Sequence, residues 1–511
     1  MNKAASNLKA KHVLILGLGE SGLAMARWCA REGASVRVAD TRVQPPMLAA
    51  LRSALPDAEV RFGAFTADLL DGIDLIAISP GLALTAEPQR ALLDAARERT
   101  LPVAGEIELF AQKLLQLKSE RGYAPRIVAI TGTNGKTTVT SLLGKCCARA
   151  GVTVCVAGNI GPAALAALAD ALDAEAAGTP LPAGWVLELS SFQLATTQSL
   201  VPDVATVLNI TQDHLDWHGD LEAYAAAKAR IFGPHTVRVL NRDDPCVMRM
   251  ADASARVVTF GLDAPQSPGS FGIVVEGKSV HTTRWLATAE ASPPSDAAVA
   301  ASGKAKKPAR MHDEACAVTR LMPADALRVR GDHNLANALA ALALGRALGL
   351  TMAAMLHALA DYRGQAHRVE FVARIGDIDY IEDSKGTNVG ATVAALTGLG
   401  QKLVLIAGGD GKGQDFSPLA APVARHARGV VLIGKDRAAL RAALSATRVP
   451  LVECATLEDA VREASRMAES GDAVLLSPAC ASLDMFRDYK HRAAVFVDAV
   501  QRMAEAASQP C

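Results

Sequence analysis

Residues Ile127–Ser141 read IVAITGTNGKTTVTS, and this stretch decides the fold. An apolar β-run breaks into a loop of small residues, Gly132-Thr133-Asn134-Gly135, and then enters a helix through Lys136-Thr137-Thr138. A strand, a glycine loop and a helix N-terminus in that order form a cradle for phosphate. Backbone N–H groups close on the oxygens, the lysine reaches the β- and γ-phosphates, and the Thr137 hydroxyl is placed for Mg²⁺. The helix adds the positive end of its dipole. A nucleoside triphosphate is expected here, although the usual P-loop template asks for glycine where this chain has Ile130.

Upstream, the strand His12–Leu16 leads into Gly17-Leu18-Gly19-Glu20-Ser21-Gly22. A helical pattern follows, and then a strand, SVRVAD, ending at Asp40. This is the spacing of a dinucleotide fingerprint: glycines for a tight turn against a diphosphate, and an acid about twenty residues on for ribose hydroxyls. Alone it favours NAD. The separate triphosphate loop, and a strand end at Ile76–Gly81 (IAISPG) without hydride chemistry beside it, take weight from that choice, and a UDP-sugar satisfies the same geometry.

Downstream, WVLELSSFQL presents Glu188 before Ser190-Ser191, and VATVLNITQDHLD ends in Asp213-His214. An acid at a strand end beside the phosphate loop suits Mg²⁺, directly or through water, and His214 suits a second ligand or an orienting role. Taken singly, a strand-end carboxylate is often only solvated and a lone histidine is often structural. Lys228, in EAYAAAKARIF, reads by composition as an exposed helix lysine.

A chain of 511 residues corresponds to about three domains. Runs such as LVLIAGG (Leu403–Gly409), VVLIG (Val430–Gly434) and AVLLSP (Ala473–Pro478) read as parallel strands buried on both faces, so the fold class is α/β throughout. Boundaries are expected near residues 113 and 364, giving domains 1–113, 114–364 and 365–511. The Ala/Ser/Pro/Lys-rich segment Leu286–Arg310 lacks apolar periodicity and is expected to be a mobile surface insertion. Lysine plus arginine equals aspartate plus glutamate at 53 each, which leaves no global field for nucleic acid or an anionic membrane. Nine cysteines without a CxxC pair fit reduced thiols and a cytoplasmic setting. No apolar run reaches membrane-spanning length.

In order, the motifs LGLGESG, ITGTNGKTT, AGNIG, LELSSFQL, NITQDHLD, AAKARIF, GDHNLANALAA, HRVEFV, EDSKGTN, AGGDGKGQDF and SPACASLDMFRDYKHR resemble the Mur ligase family, ATP-dependent amide-forming enzymes of peptidoglycan precursor synthesis. The resemblance covers nearly all of the chain outside the Ala/Ser/Pro/Lys segment. It implies three domains: a Rossmann-like N-terminal domain for a UDP moiety, a central P-loop-type ATPase domain, and a Rossmann-like C-terminal domain that brings an amino acid. The GTNGKT form of the family loop also accounts for Ile130.

By the same resemblance, Ser21, Asp40, Thr41 and Arg42 hold the UDP moiety, while Ser79, Gly81, Asn159 and Gln193 border the muramoyl part of UDP-N-acetylmuramoyl-L-alanine. ATP falls to Gly132, Thr133, Asn134, Gly135, Lys136, Thr137, Thr138, Asn334, Asn337, Arg368 and Asp383. Two Mg²⁺ ions fall to Thr137, Glu188, His214 and Lys228, the last as an N-carbamate formed with CO₂. Lys385, Thr387, Lys412, Ser482, Leu483 and Tyr489 surround D-glutamate. Lys136, Glu188, His214 and Lys228 form the implied catalytic set, in a monomer with no nucleic-acid partner and no stable membrane insertion. Sister ligases with other acceptors, a folylpolyglutamate synthase and a non-catalytic nucleotide-binding regulator are the competing readings. The lysine- and hydroxyl-rich acceptor motifs, the N-terminal glycine loop, and the retention of Lys136, Glu188 and Lys228 weigh against each in turn.

Overall fold

The computed structural model describes residues 7–277, 282–291, 316–329 and 331–508. Three sheets follow one another along the chain. The first contains β1 (His12–Leu16), β2 (Ser35–Asp40), β3 (Glu59–Phe62), β4 (Leu75–Ile78) and β5 (Val103–Ala104) in the order β3-β2-β1-β4-β5, with every pair parallel. The chain reverses direction across the sheet between β1 and β4. A crevice therefore opens at the carboxyl ends of these strands, where ligands of this fold bind.

The central sheet contains β6 (Arg126–Thr131), β7 (Val154–Gly158), β8 (Gly184–Glu188), β9 (Val204–Val207), β10 (Val237–Asn241), β11 (Val257–Phe260), β12 (Phe271–Glu276), β13 (Thr283–Ala291) and β14 (Cys316–Pro323). Its order is β14-β13-β12-β11-β10-β9-β6-β8-β7. Strand β6, which feeds the phosphate loop, lies between β8 and β9, so the loop sits beside the ends of both. Helix Asp332–Ala347 is apolar almost all round because it packs between this sheet and helix Lys136–Arg149.

The third sheet contains β15 (Glu370–Ile375), β16 (Ile378–Glu382), β17 (Leu403–Gly408), β18 (Ala427–Ile433), β19 (Leu451–Glu453) and β20 (Ala473–Leu476) in the order β15-β16-β20-β17-β18-β19. Only β15 is antiparallel to its neighbour. The α/β class with two Rossmann-like domains around a P-loop domain is the architecture observed.

Two expectations need adjustment. The boundary near 113 falls inside helix Glu106–Arg121, which packs against helices of both neighbouring domains. It carries the Lys113–Glu32 ion pair (2.7 Å) on one side and the Phe110–Trp185 ring contact (5.0 Å) on the other. The segment Leu286–Arg310 is also no single insertion. Residues Leu286–Ala291 belong to β13, paired to both β12 and β14, with Leu286, Ala287 and Ala289 fully buried. Small side chains gave no apolar period, but ladder hydrogen bonds to two neighbours order the strand without one. Residues 292–310 lie outside the described residues. Among those described, no helix is long and apolar enough to cross a membrane.

Candidate active site

The phosphate loop leaves β6 at Thr131 and turns through Gly135, whose φ of +84° favours glycine. A Cβ there would collide with Asn337 Oδ1. Lys136 Nζ donates to the carbonyl oxygens of Gly132 and Thr133, both at 2.8 Å. Lys228 lies on helix Leu221–Ala229 and is 1% exposed, unlike the solvated lysine its composition suggests. Its Nζ donates to the same Gly132 oxygen at 2.9 Å and to Thr131 Oγ1 at 3.3 Å. Burial, and then the Lys136 charge, push the Lys228 ammonium well below the usual lysine range. Burial lowers that of Lys136 too.

Two groups of opposite character face these lysines. Glu188, at the end of β8, is buried; its Oε1 accepts from Asn159 Nδ2 at 2.9 Å, while Oε2 accepts no hydrogen bond. An ionisable oxygen left unpaired in the interior is costly unless something binds it. After β9 the chain runs to Asp213 and His214, whose backbone is left-handed at φ +55°. Burial pushes the His214 imidazole down to about 4, so it is neutral at pH 7. Its Nε2 stands 3.5 Å from Asp213 Oδ2, and Phe192 meets its ring edge-on at 4.7 Å. The unpaired Glu188 oxygen is a donor of the kind that a hard divalent cation takes.

A cleft beside the loop is lined by Asn134, Gly135, Thr138, Asn334, Asn337, Arg368 and Asp383, with Leu208 and Phe260 supplying an apolar wall. Arg368 comes from the C-terminal domain. Its Nη2 donates to Thr137 Oγ1 at 3.3 Å, while its buried Nε has no hydrogen-bond partner. Burial raises the Asp383 carboxyl to about 7, although Ser477 Oγ donates to it at 2.7 Å.

The residues that the sequence resemblance sets around the amino acid lie after strands β16, β17 and β20 of the C-terminal domain. Lys385 Nζ also reaches Thr137 Oγ1, at 3.4 Å, with the Tyr489 ring 5.6 Å from it; burial and Arg368 push this lysine down to about 8. Lys412 Nζ stands 3.6 Å from Asp213 Oδ1. Thr387 is partly buried, Ser482 is buried, and Leu483 is 74% exposed. Buried Arg492 ties their loops together by donating to the carbonyls of Ser384 (2.8 Å) and Cys480 (3.1 Å).

In the N-terminal domain, Asp40 ends β2. Its Oδ2 accepts from Leu18 N at 2.7 Å, and its Oδ1 accepts from Arg42 N (2.9 Å) and Nε (2.8 Å). Burial works against ionisation, yet Arg42 and Leu18 hold this carboxyl below its ordinary range. Ser79 Oγ donates to Gly17 O at 2.8 Å, which joins the ends of β1 and β4; Gly81 follows, and Thr41 is exposed. Gln193 closes a capping box with Ser190. Ser21 and Gln193, from different domains, both bear on the buried Glu106 carboxyl, which burial raises. Sequence reasoning did not select Glu106, Asn209, Tyr224, Asn388 or Arg492. Of these, only Asn388 carries a local signal, an asparagine before an apolar helical run.

Family models cover the three domains in turn. The Mur ligase MurD-like N-terminal domain matches residues 11–105, the Mur ligase middle domain 130–345, and the Mur ligase glutamate ligase domain 367–480. The chain belongs to the Mur ligase family and is an ATP-dependent, amide-forming ligase. It is 60% identical to the UDP-N-acetylmuramoylalanine–D-glutamate ligase of Burkholderia pseudomallei (strain 668), over 96% of this chain and 97% of that one. The enzyme of the same name from Burkholderia thailandensis is also 60% identical over the same shares. Among solved structures, the UDP-N-acetylmuramate–alanine ligase MurC of Thermotoga maritima shares the fold, with a TM-score of 0.55 at 19% identity over 96% of this chain and 99% of that one. MurF ligase of Thermotoga maritima, in complex with ADP, has a TM-score of 0.54 at 15% identity over 99% of each chain.

Proposed function

We propose that this chain joins D-glutamate to UDP-N-acetylmuramoyl-L-alanine at the expense of ATP, the reaction named for its 60% identical relatives. One observation carries the chemistry. Lys136 and the buried Lys228 share the Gly132 carbonyl, beside a carboxylate, Glu188, whose second oxygen is unpaired.

A carboxylate is a poor electrophile. The alanyl carboxylate oxygen attacks the γ-phosphorus, ADP departs, and an acyl phosphate forms. The free amine of D-glutamate then attacks the acyl carbon. Inorganic phosphate leaves from the tetrahedral intermediate, and the nitrogen loses a proton. Both steps bring anions together, and the chain's own cations offset that repulsion: Lys136 at the loop, with Arg368 and Lys385 converging on Thr137. Thr137, Glu188, His214 and a carbamylated Lys228 would hold two Mg²⁺ ions, which would supply further charge neutralisation on the transferring phosphoryl group. The depressed ammonium of Lys228 favours the neutral amine that adds to CO₂.

Gly132, Thr133, Asn134, Gly135 and Thr138 wrap the phosphates, Asn334, Asn337 and Asp383 border the nucleoside, and the N-terminal set around Asp40 holds the UDP moiety. Lys412, Thr387 and Ser482 hold the two carboxylates of D-glutamate, with Lys385, Leu483 and Tyr489 around them. The N-terminal and central domains meet along helix Glu106–Arg121, and the central and C-terminal domains divide near 364. The enzyme works as a cytoplasmic monomer; the eight described cysteines are free thiols, as a reducing compartment favours. The deciding experiment incubates the protein with UDP-N-acetylmuramoyl-L-alanine, ATP, Mg²⁺ and a panel of D- and L-amino acids, with products identified by mass. A product with D-glutamate alone is expected; any other acceptor, or none, overturns the reading.

A further inference from the structure

Helix Val389–Gly398 of the C-terminal domain is N-capped by Asn388, whose Oδ1 accepts from Ala391 N at 2.9 Å. That bond fixes the amide's orientation, since only the oxygen can accept. The same side chain, 4% exposed, reaches across the domain boundary to the phosphate loop. Asn134 Nδ2 donates to Asn388 Oδ1 at 3.2 Å, and Asn388 Nδ2 donates back to Asn134 Oδ1 at 3.1 Å. Asn388 Nδ2 also donates to Asp213 Oδ2 at 3.3 Å.

Asn134 is held from below as well. Its N–H donates to Asn209 Oδ1 at 2.8 Å, and its carbonyl accepts from Asn209 Nδ2 at 3.1 Å. Its main chain therefore follows the central domain while its side chain meets the C-terminal one. Gly390 makes the approach possible, because a Cβ there would stand 2.9 Å from Thr211 Oγ1 and 3.2 Å from Asn134 Nδ2. Immediately before Asn388 runs the segment Lys385–Thr387, whose lysine already touches Thr137.

We propose that Asn388 is a positioning residue. Its reciprocal amide pair with Asn134 couples the phosphate loop to the acceptor loop, so that a nucleotide seated on the loop sets Lys385–Thr387 in place for the incoming amine. This rests on the reading of the chain as a ligase of D-glutamate. Losing the pair weakens acceptor binding more than nucleotide binding, because Asn209 still holds the Asn134 main chain.

The test uses Asn388→Ser, which keeps a capping oxygen but cannot form the pair, with Asn388→Thr as a second capping variant. Asn134→Ala and the double variant complete the cycle. Steady-state KM values for D-glutamate and ATP are measured alongside the thermal midpoint. The expected result for Asn388→Ser, which loses two hydrogen bonds to Asn134 and one to Asp213, is a KM for D-glutamate raised about tenfold or more, with the KM for ATP within about twofold. The double variant should have a D-glutamate KM no higher than the worse single variant. An unchanged D-glutamate KM in folded Asn388→Ser or Asn388→Thr, equal rises in both KM values, or additive effects in the double variant would each overturn the coupling. If the unsubstituted protein itself forms no product with D-glutamate, the ligase reading fails instead, and the control reveals it.

Discussion

Lys228 gives the sharpest test of the site, because its stem and its amine can be removed separately. Lys228→Ala deletes three buried methylenes as well as the amine, which at about 0.8 kcal/mol per methylene costs roughly 2–3 kcal/mol of stability. Lys228→Met keeps most of that volume, and a near-isosteric swap of this kind costs less than about 1.5 kcal/mol. Neither variant orphans the Gly132 carbonyl, which retains Lys136 as a donor at 2.8 Å. The loop should therefore keep its shape in both. Catalysis should not survive: a preorganised group acting on transition-state charge is worth about 3–4 kcal/mol, or 10²–10³ in rate.

The assay follows phosphate release and product mass at saturating substrates, in CO₂-depleted buffer and again after bicarbonate is added. The unsubstituted enzyme should slow on depletion and recover with bicarbonate, whereas both variants should remain slow in either buffer. Formate or acetate should partly restore Lys228→Ala, where space has been opened, and leave Lys228→Met unchanged, where it has not. Parental turnover in folded Lys228→Met, or an unsubstituted enzyme indifferent to CO₂, would refute the carbamate.

Four further outcomes are expected. Lys136→Ala should lose about 10²–10³ in kcat with an unchanged circular dichroism spectrum; near-parental turnover at saturating ATP would remove the loop from the chemistry. Lys412→Ala should raise the KM for D-glutamate far more than that for ATP, by the factor that corresponds to a charged hydrogen bond of about 1.5–3 kcal/mol. A rise confined to ATP would move Lys412 to the phosphate site. Leu286→Ala, in the middle of β13, should destabilise by about 2–5 kcal/mol in denaturant unfolding, and a neutral result would show that the strand does not pack there. Burial holds His214, His218 and His333 each at about 4, against 6.5 when unfolded. Between those values the unfolded chain binds more protons, so stability is intact above pH 6.5 and is lost as the pH falls towards 4. His333→Gln should flatten that slope in the thermal midpoint, and an unaltered slope would mean that His333 is not held neutral.

What was legible in the sequence divides by how far away each residue finds its partners. The phosphate loop, Glu188 at its strand end and the Asp40 fingerprint are spelled by a few adjacent residues, and the structure sets each at the end of a parallel strand. Lys228 could not be read that way. The helix LEAYAAAKA carries small residues on every side, and what buries its lysine is a loop almost a hundred residues earlier. The same holds for Leu286–Ala291, where alanines and threonines hide a strand that exists because two neighbours hydrogen-bond to it. Asn388 stands between these cases. Its capping of the next helix is a local signal, but its pairing with Asn134, 254 residues away, follows only from how the domains close. Gly386 makes the same point from the opposite direction. A Cβ there would stand 2.6 Å from Asp383 Oδ2. The glycine lets residues 385–387 fold against the acid that lines the cleft beside the phosphate loop. That contact is made within three residues, whereas the side-chain pair of Asn134 and Asn388 crosses between domains, and no local pattern could announce it.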